Sequence, residues 1–263
     1  MATNPEALTI EGVQSNSPDI TVQSARQETA SSLVLPPVTT GTSENYVKGL
    51  ALAVSRASAT DPLNVLFESE KLPSDRSIES LSPECIRQMI YDGAIARLAA
   101  KIPHGAFVAE AAGFSAVACW EPESIYEEPR ADMSVEAVRV TRPIFAEFLE
   151  KLEAVRKKHL WPVAERMSGG RVWHLCLMAR DPTVPYVKGA VRALMVPFMK
   201  KFTSVYQEEG LIPVWLEAGN EQARAVYAHF GFREVGVWEV RGIKTWGMIY
   251  TGKPDHQDIE FLG

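Results

Sequence analysis

Apolar residues recur at spacings of three and four over 43–59, with Val47, Leu50, Ala51 and Val54 on one stripe and Ser43 as the cap, which predicts a helix. Asp61-Pro62 breaks it, and 63–67 reads as a short helical turn. Ser82-Pro83, a capping residue followed by proline at the first helical position, opens a second helix that carries Ile86, Met89, Ile90, Ile95 and Leu98 before Pro103 stops it. Two short apolar runs, 106–111 and 114–120, then form a hairpin through Gly113. A long connection over 121–170 contains a predicted helix from Ser134 to His159, with Ile144, Phe145, Phe148, Leu149, Leu152 and Val155 on its apolar face. Pro162 and Gly169-Gly170 close it.

The last third alternates more regularly. A strand over 172–179 leads through a proline-containing loop into a helix over 187–207, with Val187, Val191, Leu194, Phe198, Phe202 and Val205 at helical spacing and Gly210 as its stop. A strand over 213–218, a short helix over 220–230 and a hairpin of 232–240 with 243–250 complete the order. Near the start, Ser32–Thr39 reads as an edge strand, because Pro36 and Pro37 cannot donate to a ladder. Helices alternating with strands and ending in a hairpin predict one α/β (α+β) domain over 32–250, with a helical insertion over 121–170. Residues 1–31, rich in Ser, Thr, Gln and Glu and without period, predict a disordered tail, and 251–263 a C-terminal one.

Composition narrows the function classes. The chain of 263 residues is 46% hydrophobic and 23% charged, as expected of a globular protein. Its net charge of −6 argues against a nucleic-acid surface and against anionic membranes. No stretch approaches the ~18 continuous apolar residues of a membrane span. No secretory signal is visible, and three cysteines (Cys85, Cys119, Cys176) at unrelated spacings suit buried thiols in a reducing compartment, not disulfides or a metal site. A cytoplasmic protein, monomer or homodimer, is the expectation.

The most informative stretch runs from Pro213 to Gly236 as strand, cap, short helix, glycine stop and strand. Asn220 caps the helix, and Asn220, Ala223, Arg224 and Tyr227 recur at helical spacing, so an amide, a guanidinium and a phenol share one face. This segment resembles the GCN5-related N-acetyltransferase superfamily, in which a strand is followed by Asn, then Ala or Arg, then Tyr, then Gly-Phe. Ala118-Cys119-Trp120-Glu121-Pro122 is similar to fungal small-molecule members.

The resemblance implies a mixed sheet flanked by helices and splayed between its fourth and fifth strands, with acetyl-coenzyme A as co-substrate and a small-molecule amine as acceptor. Main-chain groups of Ala179 and Arg180 would bond the pantetheine. Lys188, Gly189, Ala190, Val191 and Arg192 would hold the pyrophosphate, and Asn220 and Arg224 the rest of the coenzyme arm. In that loop Gly189 matches the family's pattern, and Tyr186 and Val191 depart from it. Tyr227 would be the general acid, Glu217 would take the amine proton, and His174 lies where some members place a basic histidine. Two other readings use the same residues. The fold could serve a cyclisation, isomerisation or decarboxylation without acetyl-coenzyme A, or a non-catalytic binding module docking through the 134–159 helix.

Overall fold

A computed structural model describes residues 34–127, 134–204 and 211–252. The expected tail over 1–31, the helix end over 205–207 with Gly210, and 253–263 lie outside the described residues. Among the described residues seven strands form one sheet in the order β1 (Val38–Gly41), β2 (Phe107–Ala111), β3 (Ala116–Ser124), β4 (Arg171–Arg180), β5 (Val214–Ala218), β7 (Ile243–Tyr250), β6 (Arg233–Val240). Every neighbouring pair is antiparallel except β4 with β5, which is parallel.

Helices cover both faces. Alternation along the strands sends Ala116 and Ala118 to one face and Val117 and Cys119 to the other. On the first face α7 (Ala190–Phe202) and α8 (Glu221–His229) cover a core containing Trp120, Leu194, Met195, Phe202 and Trp246. On the second, α1 (Glu44–Ser58) and α3 (Pro83–Lys101) lie over β2, β3 and β4 through Leu50, Val54 and Leu98. Beside them α5 (Pro143–Val155) and α6 (Trp161–Ser168) cover β5, β7 and β6, packing Leu160, Trp215 and Ile249 in one cluster and Phe148 and Trp238 in another. Leu63 of α2 (Pro62–Ser69) joins the latter. Among the described residues no helix is long and apolar enough to cross a membrane.

Four expectations need correction. The single helix over 134–159 is two helices, α4 (Val135–Thr141) and α5, broken before Pro143, followed by a π-helical turn. Pro162 does not close it: a π-helical turn over Arg156–Leu160 leads straight into α6, and Pro162 lies at the start of α6 directly after that turn. The strand expected over 114–120 starts at Ala116, since Ala112, Gly113 and Phe114 turn the hairpin with φ of 56°, 65° and 64°. It then continues to Ser124 through Pro122, past the last β2 partner, Phe107 opposite Trp120, so Pro122 breaks no ladder on that side. Finally, α7 begins at Ala190 and not at Val187, because Gly189 takes a left-handed conformation at φ 86°, and α7 ends at Phe202.

Candidate active site

Two irregularities in the sheet build the site. Opposite Cys119 stands Leu177, and opposite Trp120 stands Leu175, so Cys176 is an extra residue in β4. Cys176 and Leu177 accordingly pack toward the same side, onto α1 and α3. The strand bends there and leaves β5. Only Trp173 with Val214 and His174 with Trp215 are paired across β4 and β5. Beyond them β4 keeps β3 alone and β5 keeps β7 alone, so alternate peptide groups of both strands border an opening.

Four charged side chains from three strands meet where the two strands part, on the face covered by α3 and the π-helical turn. Glu121 and Glu123 come from β3, His174 from β4 and Glu217 from β5. His174 is buried, with Nδ1 2.7 Å from Glu123 Oε1 and Nε2 2.9 Å from Glu217 Oε2. Glu121 Oε2 lies 3.7 Å from the same Nδ1. Arg156, aimed inward by the π-helical turn, pairs with Glu123, and Lys101 at the end of α3 pairs with Glu121. The Trp215 indole N–H donates to Glu217. Gly247 makes room for that indole, since a Cβ there would fall against the ring of Trp215.

Ionised carboxylates only accept, so a ring held between two of them donates from both nitrogens and is an imidazolium. Burial alone would lower the His174 pKa, but the carboxylates of Glu217 and Glu123 and their hydrogen bonds raise it well above 6.5. Burial would likewise raise Glu217 and Glu123. The His174 charge and hydrogen bonds, with Arg156, hold both below the usual carboxylate range. Three carboxylates thus face three cations. The Glu121, Glu123 and His174 donor atoms lie within 4.8 Å of one another, and Lys101 and Arg156 compensate the carboxylates in an ion-pair network.

The cluster makes stability depend on pH. A raised histidine pKa contributes stability that is complete below the unfolded value near 6.5 and is lost as pH rises through the folded value. The depressed carboxyls contribute above their unfolded value of 4.5 and lose it toward acid. Unfolding free energy is therefore expected to fall above pH 6.5, by up to about 1.4 kcal/mol per pH unit, and His174→Gln is expected to flatten that alkaline limb. Urea titrations between pH 6 and 9 measure it. An alkaline limb equally steep in both proteins would remove His174 as its source.

Tyr227 sits on α8, half-buried against the first core and edge-on to Phe232 with ring centroids 6.0 Å apart. Burial and then the nearby Glu217 carboxylate push its hydroxyl up to about 12, so it holds its proton at neutral pH. The helix is fixed by Asn220, whose Oδ1 accepts from the Ala223 amide at 2.8 Å, while its Nδ2 donates to Asp61 at 3.4 Å. Arg224 does not share the Tyr227 site: it pairs with Glu234 at 3.2 Å and lies over Trp246.

At the other end of β4, Arg180 is exposed and its guanidinium lies 5.6 Å from the Tyr186 ring centre, whereas Ala179 is buried toward α1 and α3. Asp181 pins the loop. Its carboxylate accepts from Arg56 (2.7 Å) and from the Thr183 amide (2.8 Å), and its amide donates to Ser115 O (3.0 Å). The Ala190 amide turns back to Val187 O (3.2 Å) and that of Ala193 bonds Gly189 O (2.8 Å), which leaves the Val191 and Arg192 amides as the unsatisfied donors of the first turn. Lys188 and Arg192 are exposed, and the Val191 side chain packs into the first core.

Of the residues the sequence singles out, His174 and Glu217 meet in this cluster with Tyr227 nearby, and Glu123, Glu121, Arg156 and Lys101, which it does not single out, join them. The Glu-x-Glu spacing at 121 and 123, one face of a strand, was the available signal.

Known proteins share this architecture. The polyamine N-acetyltransferase of Drosophila melanogaster superposes with a TM-score of 0.55 at 12% identity, over 82% of this chain and 100% of that one. Arylalkylamine N-acetyltransferase 2 of Aedes aegypti gives 0.50 at 12% identity, over 82% and 99%. A histone acetyltransferase-related protein of Corynebacterium glutamicum gives 0.50 at 14%, over 86% and 99%. In sequence, increased recombination centers protein 11 of Saccharomyces cerevisiae is 30% identical over 112 residues, 41% of this chain and 60% of that protein's length. The chain therefore spans less than two thirds of that curated relative. No protein-family model matches. The seven-stranded sheet, parted between β4 and β5 and covered by helices on both faces, has the GCN5-related N-acetyltransferase fold.

Proposed function

We propose that this protein transfers an acetyl group from acetyl-coenzyme A to the amine of a small molecule by direct attack. The observation that carries this reading is the parting of β4 from β5 after His174, with Glu217 on one border and Tyr227 on the helix that follows. The coenzyme's diphosphate fits the first turn of α7, where the Val191 and Arg192 amides lack acceptors and Lys188 and Arg192 add positive charge. Val191 does not obstruct that approach, because its side chain is turned into the core. Pantetheine fits the free strand border from His174 to Arg180.

Glu217 takes the proton of the attacking amine, and a main-chain N–H along the opening stabilises the oxyanion. Tyr227, protonated and half-buried, gives its proton to the departing sulfur. Asn220 serves by capping α8, and Arg224, paired with Glu234, has no part in this reading.

A second reading keeps the fold without the donor, in a cyclisation, isomerisation or decarboxylation. The exposed Tyr186 beneath Arg180, where the family carries Gln or Arg, favours it. A melting experiment separates the two. Acetyl-coenzyme A at about 100 times its Kd is expected to add about 2.7 kcal/mol, a rise of roughly 5–10 °C in Tm. An unchanged Tm at millimolar coenzyme favours the second reading.

A further inference from the structure

His174 stands behind Glu217 and is itself held from behind. The line Glu217–His174–Glu123 crosses β5, β4 and β3 through two hydrogen bonds, 2.9 and 2.7 Å long. Glu123 is fixed in turn by Arg156, which the π-helical turn delivers. The groups facing the imidazole are therefore Glu121 and Glu123 on β3, Cys176 on β4, Glu217 on β5, Lys101 on α3 and Arg156. Glu121 has Lys101 and Glu123 has Arg156 as a permanent cation. Glu217 hydrogen-bonds the imidazolium and the Trp215 N–H, with the Arg156 charge further off.

The geometry points to Glu123, braced by Arg156, as a positioning residue that makes His174 the proton store behind Glu217. This rests on the acetyl-transfer reading for its use in catalysis, but not for its test. At neutral pH the acceptor arrives as an ammonium, which beside Glu217 adds a positive charge to a cluster already balanced. The Nε2–H bond then breaks and its proton leaves to solvent. The ring stays neutral, with Nδ1–H still donated to Glu123 and the Nε2 lone pair facing Glu217.

An N–H bond of the ammonium breaks next. Its electron pair remains on nitrogen, and its proton passes over Glu217 to Nε2, which restores the imidazolium and frees the amine to attack. After attack the C–S bond breaks with its pair on sulfur, which takes the Tyr227 proton. Tyr227 regains one from the adduct nitrogen. Ammonium and thioester thus give amide, thiol and one released proton. Without Glu123 the Nδ1–H would lose its acceptor, and the charge that keeps the store loaded would be lost.

The test reads the imidazole on the free protein, by 15N NMR between pH 5 and 10. In the native chain His174 is expected to remain doubly protonated past pH 8. In Glu123→Gln its midpoint is expected to drop by about one to three pH units. Glu121→Gln, the control for simple loss of charge, is expected to move it less. A native His174 already neutral at pH 7, or an unchanged midpoint in Glu123→Gln, overturns the proposal. If Glu123→Gln does not fold, Glu123→Asp decides: a shorter carboxylate withdrawn from Nδ1 is expected to lower the His174 midpoint, and an unchanged midpoint contradicts the proposal. Failure of acetyl-coenzyme A to bind leaves these signals readable, and a neutral His174 leaves coenzyme binding untouched.

Discussion

Replacing Tyr227 by phenylalanine is expected to lower kcat by about 10²–10⁴-fold while leaving the affinity for acetyl-coenzyme A and the melting temperature nearly unchanged. The hydroxyl makes no hydrogen bond to another described side chain, so its loss leaves no buried partner stranded. The ring itself, packed edge-on against Phe232, stays in place. What disappears is a proton held at a group whose pKa of about 12 keeps it neutral until the sulfur leaves. Steady-state kinetics with Kd measured separately give the split. Retained turnover in Tyr227→Phe, with intact folding, would move the acid to another group.

Glu217→Ala is the second large effect, and it falls on stability as well as rate. The substitution strands the His174 imidazolium and the Trp215 N–H at Nε1, with Arg156 close behind. Breaking a buried ion pair by removing one partner costs about 3–5 kcal/mol. Glu217→Gln, which keeps a side-chain oxygen for the indole, is expected to cost less in folding and as much in turnover. Combining Glu217→Gln with His174→Asn again equates the charges, two carboxylates against Lys101 and Arg156, so the double variant is expected to lose less than the sum of the singles. Additive losses in urea unfolding would mean that the cluster is not coupled as its geometry indicates.

Much of the fold was legible because its elements are locally punctuated. Ser82-Pro83, Asn220 and Gly231 mark helix ends that the chain keeps, and the period-two runs of β2, β4, β5, β6 and β7 survive within a few residues. Two of the misreadings share a cause. Pro122 and Pro162 look like terminators, yet Pro122 lies past the last β2 partner, where no ladder bond is lost on that side, and Pro162 directly follows the π-helical turn that carries the chain on into α6. Continuing β3 past Pro122 is what puts Glu121 and Glu123 on a strand beside His174.

The site was legible only in part, for a similar reason. His174, Glu217 and Tyr227 lie in segments with recognisable patterns, whereas Arg156 reaches the cluster because a π-helical turn shifts its direction, and Lys101 because α3 ends above β3. Neither follows from spacing along one element. Charge balance among residues 101, 121, 123, 156, 174 and 217 exists only in three dimensions.

A crystal structure determined after soaking with acetyl-coenzyme A addresses the proposed chemistry most directly. Density is expected to show the diphosphate at the Val191 and Arg192 amides, the pantetheine along β4 and the thioester between Glu217 and the Tyr227 hydroxyl. A coenzyme bound elsewhere, or an opening closed by side chains at full soaking concentration, would contradict the transfer mechanism and leave only the architecture standing.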